Sequence, residues 1–78
     1  MLEDWIFKKK EVEASKSKLR GVDLSNAKLM GAKLDGADLT QADLTSAYLI
    51  KADLSKASLV EADLTQAVLS EANLSDAD

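Results

Sequence analysis

Two of the side chains that most often do chemistry in proteins are missing from this 78-residue chain, which has no His and no Cys. A Ser or Thr nucleophile needs a base to take its proton, and without His only a suitably placed Lys would serve. Most of the hydroxyls (Ser25, Thr40, Thr45, Ser55, Thr65, Ser70 and Ser75) occupy one recurrent position, immediately after a Leu. A slot that recurs in this way serves the architecture, so no catalysis is expected. The same composition excludes disulfides and thiolate or imidazole metal sites, and no cofactor or metal is expected.

Carboxylates are the remaining candidates. Asp23, Asp43 and Asp63 are spaced by twenty, each directly before a Leu. Stacked above one another, they would form a ladder of like charge that could hold a cation or imitate the phosphate rail of a nucleic acid. The plainer use, and the favoured one, is that each Asp hydrogen-bonds its own turn. Calcium-binding β-rolls use a Gly-rich nine-residue unit, which is absent.

The elements that must position these residues follow from a repeat. Leu stands at 19, 24, 29, 34, 39, 44, 49, 54, 59, 64, 69 and 74, twelve times at a spacing of five, and Ala lies two residues before each from Ala27 to Ala72. Ser17 and Val22 hold the Ala slot in the first two units, and Ala77 holds it once more at the far end. On an α-helix a step of five turns through a net angle of roughly 140°, which scatters the Leu residues around the axis. On a continuous strand an odd step puts successive Leu residues on opposite faces. Within one unit, however, Ala and Leu are two apart and share a face of an extended segment. The solution is a short Ala-x-Leu piece with both apolar side chains inward, then a turn that re-aims the chain.

These units resemble those of the pentapeptide-repeat family, Ala-(Asp/Asn)-Leu-x-x; Ala37-Asp38-Leu39-Thr40-Gln41 and Ala42-Asp43-Leu44-Thr45-Ser46 match it fully. The resemblance covers residues 17–78. It implies an all-β solenoid, a right-handed quadrilateral β-helix with four units per coil and about three coils. At the usual separation of neighbouring strands, such a stack is about 15 Å tall. One branch of the family imitates DNA and acts on gyrase. This chain departs from that branch, with Leu in place of Phe at the centre of the unit, no loop insertions and no evident dimerising helix.

The outward slots give a separate hint of the coil length. Their apolar exceptions are Met30, Tyr48, Ile50, Val60 and Val68. Met30 and Ile50 are twenty apart in the same slot, and so are Tyr48 and Val68. Stacked, Met30, Tyr48, Ile50 and Val68 would form an apolar patch flanked by Lys28 and Lys51, which marks a candidate contact surface. A protein partner is therefore expected, with an acidic DNA mimic acting on a DNA-handling enzyme such as gyrase as the alternative.

Net charge sharpens the choice of partner. Residues 1–18 carry +1 and residues 19–78 carry −5, for a total of −4. An acidic body disfavours direct contact with nucleic acid or an anionic membrane, and the short Lys8-Lys9-Lys10 run reads as a solvated face. No secretory signal or membrane span is visible, so a cytoplasmic protein is expected.

Residues 1–16 lie outside the repeat. They are expected to form a short helix or irregular cap that lays Trp5, Ile6 and Phe7 over the first coil; Leu2 and Val12 fall on the same side of a helical wheel. Val12 and Ala14 also fit the inward register, so a degenerate unit starting near residue 12 is a further expectation. At the other end the ring of Leu59, Leu64, Leu69 and Leu74 is expected to face outward, either under further repeats or in end-to-end pairing of two copies. A homodimer through this coil or through the apolar side is thus a second kind of partnership.

Overall fold

The computed structural model describes residues 2–78 and, within the opening helix, the side chains of Trp5 and of Lys8 onward. From Leu19 the chain winds as a four-sided coil. Seven parallel bridges tie it together, and each joins residues twenty apart: Asp23 to Asp43 to Asp63 on one side, Lys28 to Tyr48 to Val68 on the next, then Lys33 to Asp53 to Asn73, and Asp38 to Ser58. The coils are therefore residues 19–38, 39–58 and 59–78. The return at twenty matches the pairing of Met30 with Ile50 and of Tyr48 with Val68.

Each bridge is a single residue flanked by two hydrogen bonds. The Leu24 amide donates to the Asp43 carbonyl (2.7 Å), and the Asp43 amide donates to the Val22 carbonyl (2.8 Å). No multi-residue strand forms among the described residues. Five-residue units leave no room for one, because each side turns a corner before a second bridging pair can form. At every corner the amide of the inward Ala slot donates to the preceding Leu carbonyl, from Val22 to Leu19 (3.1 Å) through Ala77 to Leu74 (3.0 Å). The residue before that Ala slot always has φ between 58° and 71°, as the third position of a type II turn requires.

The lumen is filled as the repeat demands. Leu29, Leu34, Leu39, Leu44, Leu49 and Leu54 are fully buried, and Ala27 through Ala57 lie between them. Only a side chain as small as Ala fits beside Leu in so narrow a tube. Among the described residues Thr40 is the buried polar one; its hydroxyl meets Asp38 Oδ1 at 2.7 Å and Ser58 Oγ at 2.8 Å.

Helix α1 (Leu2–Ala14) precedes the coil, followed by a single 3-10 turn at Lys16–Lys18. Its sequence has no Gly or Pro and is rich in Glu and Lys, which favours helix, but a helix this short is held mainly by what it docks on. Trp5 and Val12 pack against the Leu core. The packing expected of Leu2, Ile6 and Phe7 lies outside the described residues. The degenerate unit expected near residue 12 does not form, since Val12 and Ala14 belong to α1. Where such a unit would have offered a carbonyl to the Lys33 amide, the Glu13 carboxylate accepts from it instead (2.7 Å). Beside it, the Lys16 carbonyl accepts from the Asp38 amide (2.8 Å), and Lys9 Nζ donates to the Met30 carbonyl (3.1 Å).

Candidate functional site

Most outward Asp residues are engaged by their own turns. Asp23, Asp43 and Asp53 each accept the amide of the Ser or Thr two residues on at 3.0 Å and its hydroxyl at 2.6 Å. Asp38 with Thr40 and Asp63 with Thr65 repeat the arrangement, and Asn73 accepts from the Ser75 amide. These bonds favour the charged carboxylate, the hydroxyl contributing more than the amide, so Asp23, Asp38, Asp53 and Asp63 titrate below the ordinary carboxylate range. Asp35 is lowered as well, first by its hydrogen bond from Lys16 (2.8 Å). The column Asp23, Asp43, Asp63 is thus real as a stack, with one oxygen of each carboxylate already committed to its turn. Among the described residues no group of three or more His, Cys, Asp or Glu is placed to hold a metal ion.

One side of the coil breaks this rule throughout. Elsewhere the bridging slot is Asp or Asn except at Lys33 and Ser58, whereas the second side carries Lys28, Tyr48 and Val68, with no Asp or Asn in any coil, and two residues on come Met30, Ile50 and Ser70. None of these pairs makes the side-chain-to-turn bond. Instead, Lys28, Met30, Tyr48 and Ile50 line an open groove of about 300 Å³. Met30 and Tyr48 are exposed at 38% and 40%, while Ile50 is half-buried. The Lys28 ammonium stands 4.7 Å from the centre of the Tyr48 ring, within the range of a cation–π contact. Val68 extends the column beyond Tyr48 without lining the groove. Lys51, next to Ile50, reaches toward Glu71 at 3.9 Å.

The pentapeptide-repeat family model matches residues 11–46 and 47–78, in eight copies. The chain belongs to the pentapeptide-repeat family. A solved pentapeptide-repeat protein from the cyanobacterium Cyanothece 51142 superposes with a TM-score of 0.74 at 37% identity, over 76% of this chain and 41% of its own. A pentapeptide-repeat protein of the Arabidopsis thaliana thylakoid lumen gives a TM-score of 0.45 at 28% identity, over 83% of this chain and 53% of its own. The chain thus spans about half the length of these relatives or less. No curated protein matches it. No described helix is long and apolar enough to cross a membrane.

Within the pentapeptide-repeat pattern, single departures such as Lys33, Ser58 and Val60 occur elsewhere, but the second side is the one that lacks Asp or Asn in the bridging slot of every coil. Its apolar members were legible one by one; the simultaneous loss of all three turn carboxylates was legible too, and is the stronger signal. Lys9 was not, because only the docking of α1 brings it to the Met30 carbonyl. In the last coil, Leu59, Leu64 and Leu69 are half-buried against the core and Leu74 is 41% exposed. The amides of Glu61, Leu64, Gln66, Leu69, Glu71 and Leu74 meet no backbone acceptor among the described residues.

Proposed function

We propose that this pentapeptide-repeat chain is a non-catalytic protein-binding module that presents the Lys28–Tyr48–Val68 side to a partner. Its coil is read as the right-handed quadrilateral β-helix of the family, a post whose sides hold side chains at fixed heights. The observation that carries the reading is the run of departures on one side. Each Asp-to-turn bond forgone gives up a contribution of roughly 0.5–1.5 kcal/mol, and what stands in its place is an exposed apolar groove. A local rule broken without a compensating structural gain is expected at functional sites.

The test is a peptide display library panned against the wild-type chain and against Tyr48→Ser/Ile50→Asp. Both positions point outward, so the double variant should keep the wild-type circular dichroism spectrum and melt. Peptides selected on the wild type should bind it at least tenfold less well. Selections indifferent to the double substitution would sink the reading.

Action as an acidic nucleic-acid mimic is supported less well, because the stacked carboxylates are turned to their own Ser and Thr partners. The chain in excess should leave gyrase supercoiling unchanged, neither inhibited nor protected. A second kind of association is favoured by the open ladder of the last coil, whose unpaired amides and exposed Leu74 offer an edge to a second copy.

A further inference from the structure

We infer that the groove on the second side takes an acidic protein segment carrying an apolar anchor, an inference that rests on the protein-binding reading above. The floor is Met30, Tyr48 and Ile50. Three cations stand around it: Lys28 over the Tyr48 ring, Lys9 held at the Met30 carbonyl by α1, and Lys51 beside Ile50. Glu71, paired with Lys51, is the one carboxylate on this side of the coil or at the corners that bound it. The other three sides hold Asp23, Asp43 and Asp63; Asp35 and Asp53 beside Lys33, with Lys16 paired to Asp35; and Asp38 and Asp78. The body is acidic as a whole, and the groove side, with three Lys against Glu71, carries its largest excess of cations.

That contrast decides the class of partner. A basic segment would be drawn to the acidic sides and repelled at the groove rim. A long polyanion such as a nucleic acid would gain three Lys contacts and then run into the Asp columns on the adjoining sides. A short segment with one or two carboxylates beside an apolar side chain meets the Lys residues without reaching those columns. Its anchor would enter between Met30 and Ile50, against the Tyr48 ring, and its carboxylates would lie over Lys28 and Lys9. Tyr and an aliphatic floor supply the anchor contact, while the rim charges set orientation and discrimination.

The probe is a fluorescein-labelled peptide with one Leu between pairs of Glu, titrated into the full 78-residue chain and followed by fluorescence anisotropy. Two counterparts carry Lys in place of Glu, or Ala in place of Leu. The acidic Leu peptide should bind at least tenfold more tightly than either, and raising salt from about 50 to about 500 mM should weaken it severalfold. Lys28→Glu should invert the order of the acidic and basic peptides. Tyr48→Ser/Ile50→Asp should remove the advantage of Leu over Ala. Equal binding of the three peptides, or acidic binding that survives both sets of substitutions, overturns the inference.

Other outcomes separate the partner class from the docking reading. If library peptides depend on Tyr48 and Ile50 but are neutral or basic, the face stands and the acidic class fails. If nothing depends on those residues, both fail. Tighter binding of an oligo-dT strand than of the acidic peptide would name a nucleic acid instead. Self-association abolished by Ile50→Asp in sedimentation would name a second copy as the occupant. Either result overturns the acidic segment.

Discussion

At Asn26, Gln41, Ser46, Lys51, Lys56, Glu61, Gln66, Glu71 and Asp76, φ lies between 58° and 62°, and Gly fills the same turn slot only at 21, 31 and 36. An L-residue with a Cβ is disfavoured there by about 1–2 kcal/mol, with Asn and Asp the most tolerant, while Gly carries more chain entropy into the unfolded state. Lys56→Gly and Gln66→Gly are each expected to stabilise the chain by about 0.5–1 kcal/mol, read from the urea midpoint. Conversely, a Cβ at Gly31 meets nothing within 4 Å but faces φ +68°, so Gly31→Ala should cost about 1 kcal/mol through the backbone alone. The neighbouring Asp residues add a pH dependence. Because Asp23, Asp38, Asp53 and Asp63 are lowered by their turn bonds, their stabilisation is complete above the unfolded carboxylate value and is lost as pH falls through the folded ones. Thermal melts should be level from about pH 7 to about pH 5 and fall below about pH 4. Asp63→Asn should keep the turn, as Asn73 does naturally, and make the acid limb shallower; an unchanged limb would remove the turn carboxylates as its cause.

Among the elements, the coil was legible in the sequence and the cap only in part. A Leu every five residues with Ala two before it admits little besides a tube, and the Met30/Ile50 and Tyr48/Val68 pairs gave its period, because both patterns arise from local units repeated in register. The turn geometry was not legible: Gln, Lys and Glu in the left-handed slot carry no local signal, and only the closure of each corner puts them there. Likewise Val12 and Ala14 fit the inward register, yet the helix tendency of the surrounding Glu and Lys residues prevails, and Glu13 serves the ladder through its side chain. On the candidate site, the apolar residues could be named from spacing, whereas Lys9 depends on how α1 docks. The cap makes its own prediction. Glu13→Ala leaves the Lys33 amide without its acceptor and should cost about 1 kcal/mol, a fall of roughly 4–8 °C in Tm for a domain of this size. Glu13→Gln keeps an acceptor and should restore most of the loss. Equal effects of the two substitutions would mean that charge, and not the ladder bond, is what Glu13 contributes.

For the whole molecule the two ends of the coil differ in what they leave open. The first edge is covered by α1 and the 3-10 turn after it, with Trp5 and Val12 of α1 on the core, and Glu13 and Lys9 of α1 and Lys16 of the turn on the ladder. The edge of coil 59–78 has unpaired amides from Glu61 to Leu74, and Leu74 is 41% exposed. An array of this kind is stabilised by nearest-neighbour contacts, so an uncovered terminal coil is its weakest layer. In the 78-residue polypeptide a head-to-tail stack is blocked by α1, which leaves only the pairing of like edges. Such an interface is two-fold and closes at the dimer, without growing into a filament. Sedimentation of the purified 78-residue chain should therefore show a dimer with no larger species. Leu74→Asp, which places a charge on that edge in both copies and removes the exposed Leu, should shift it to monomer. The groove substitutions Tyr48→Ser/Ile50→Asp lie on the side of the coil and should leave the dimer intact, so the two surfaces can be told apart in one series. A wild-type chain that sediments as a monomer at all concentrations would dismiss edge pairing.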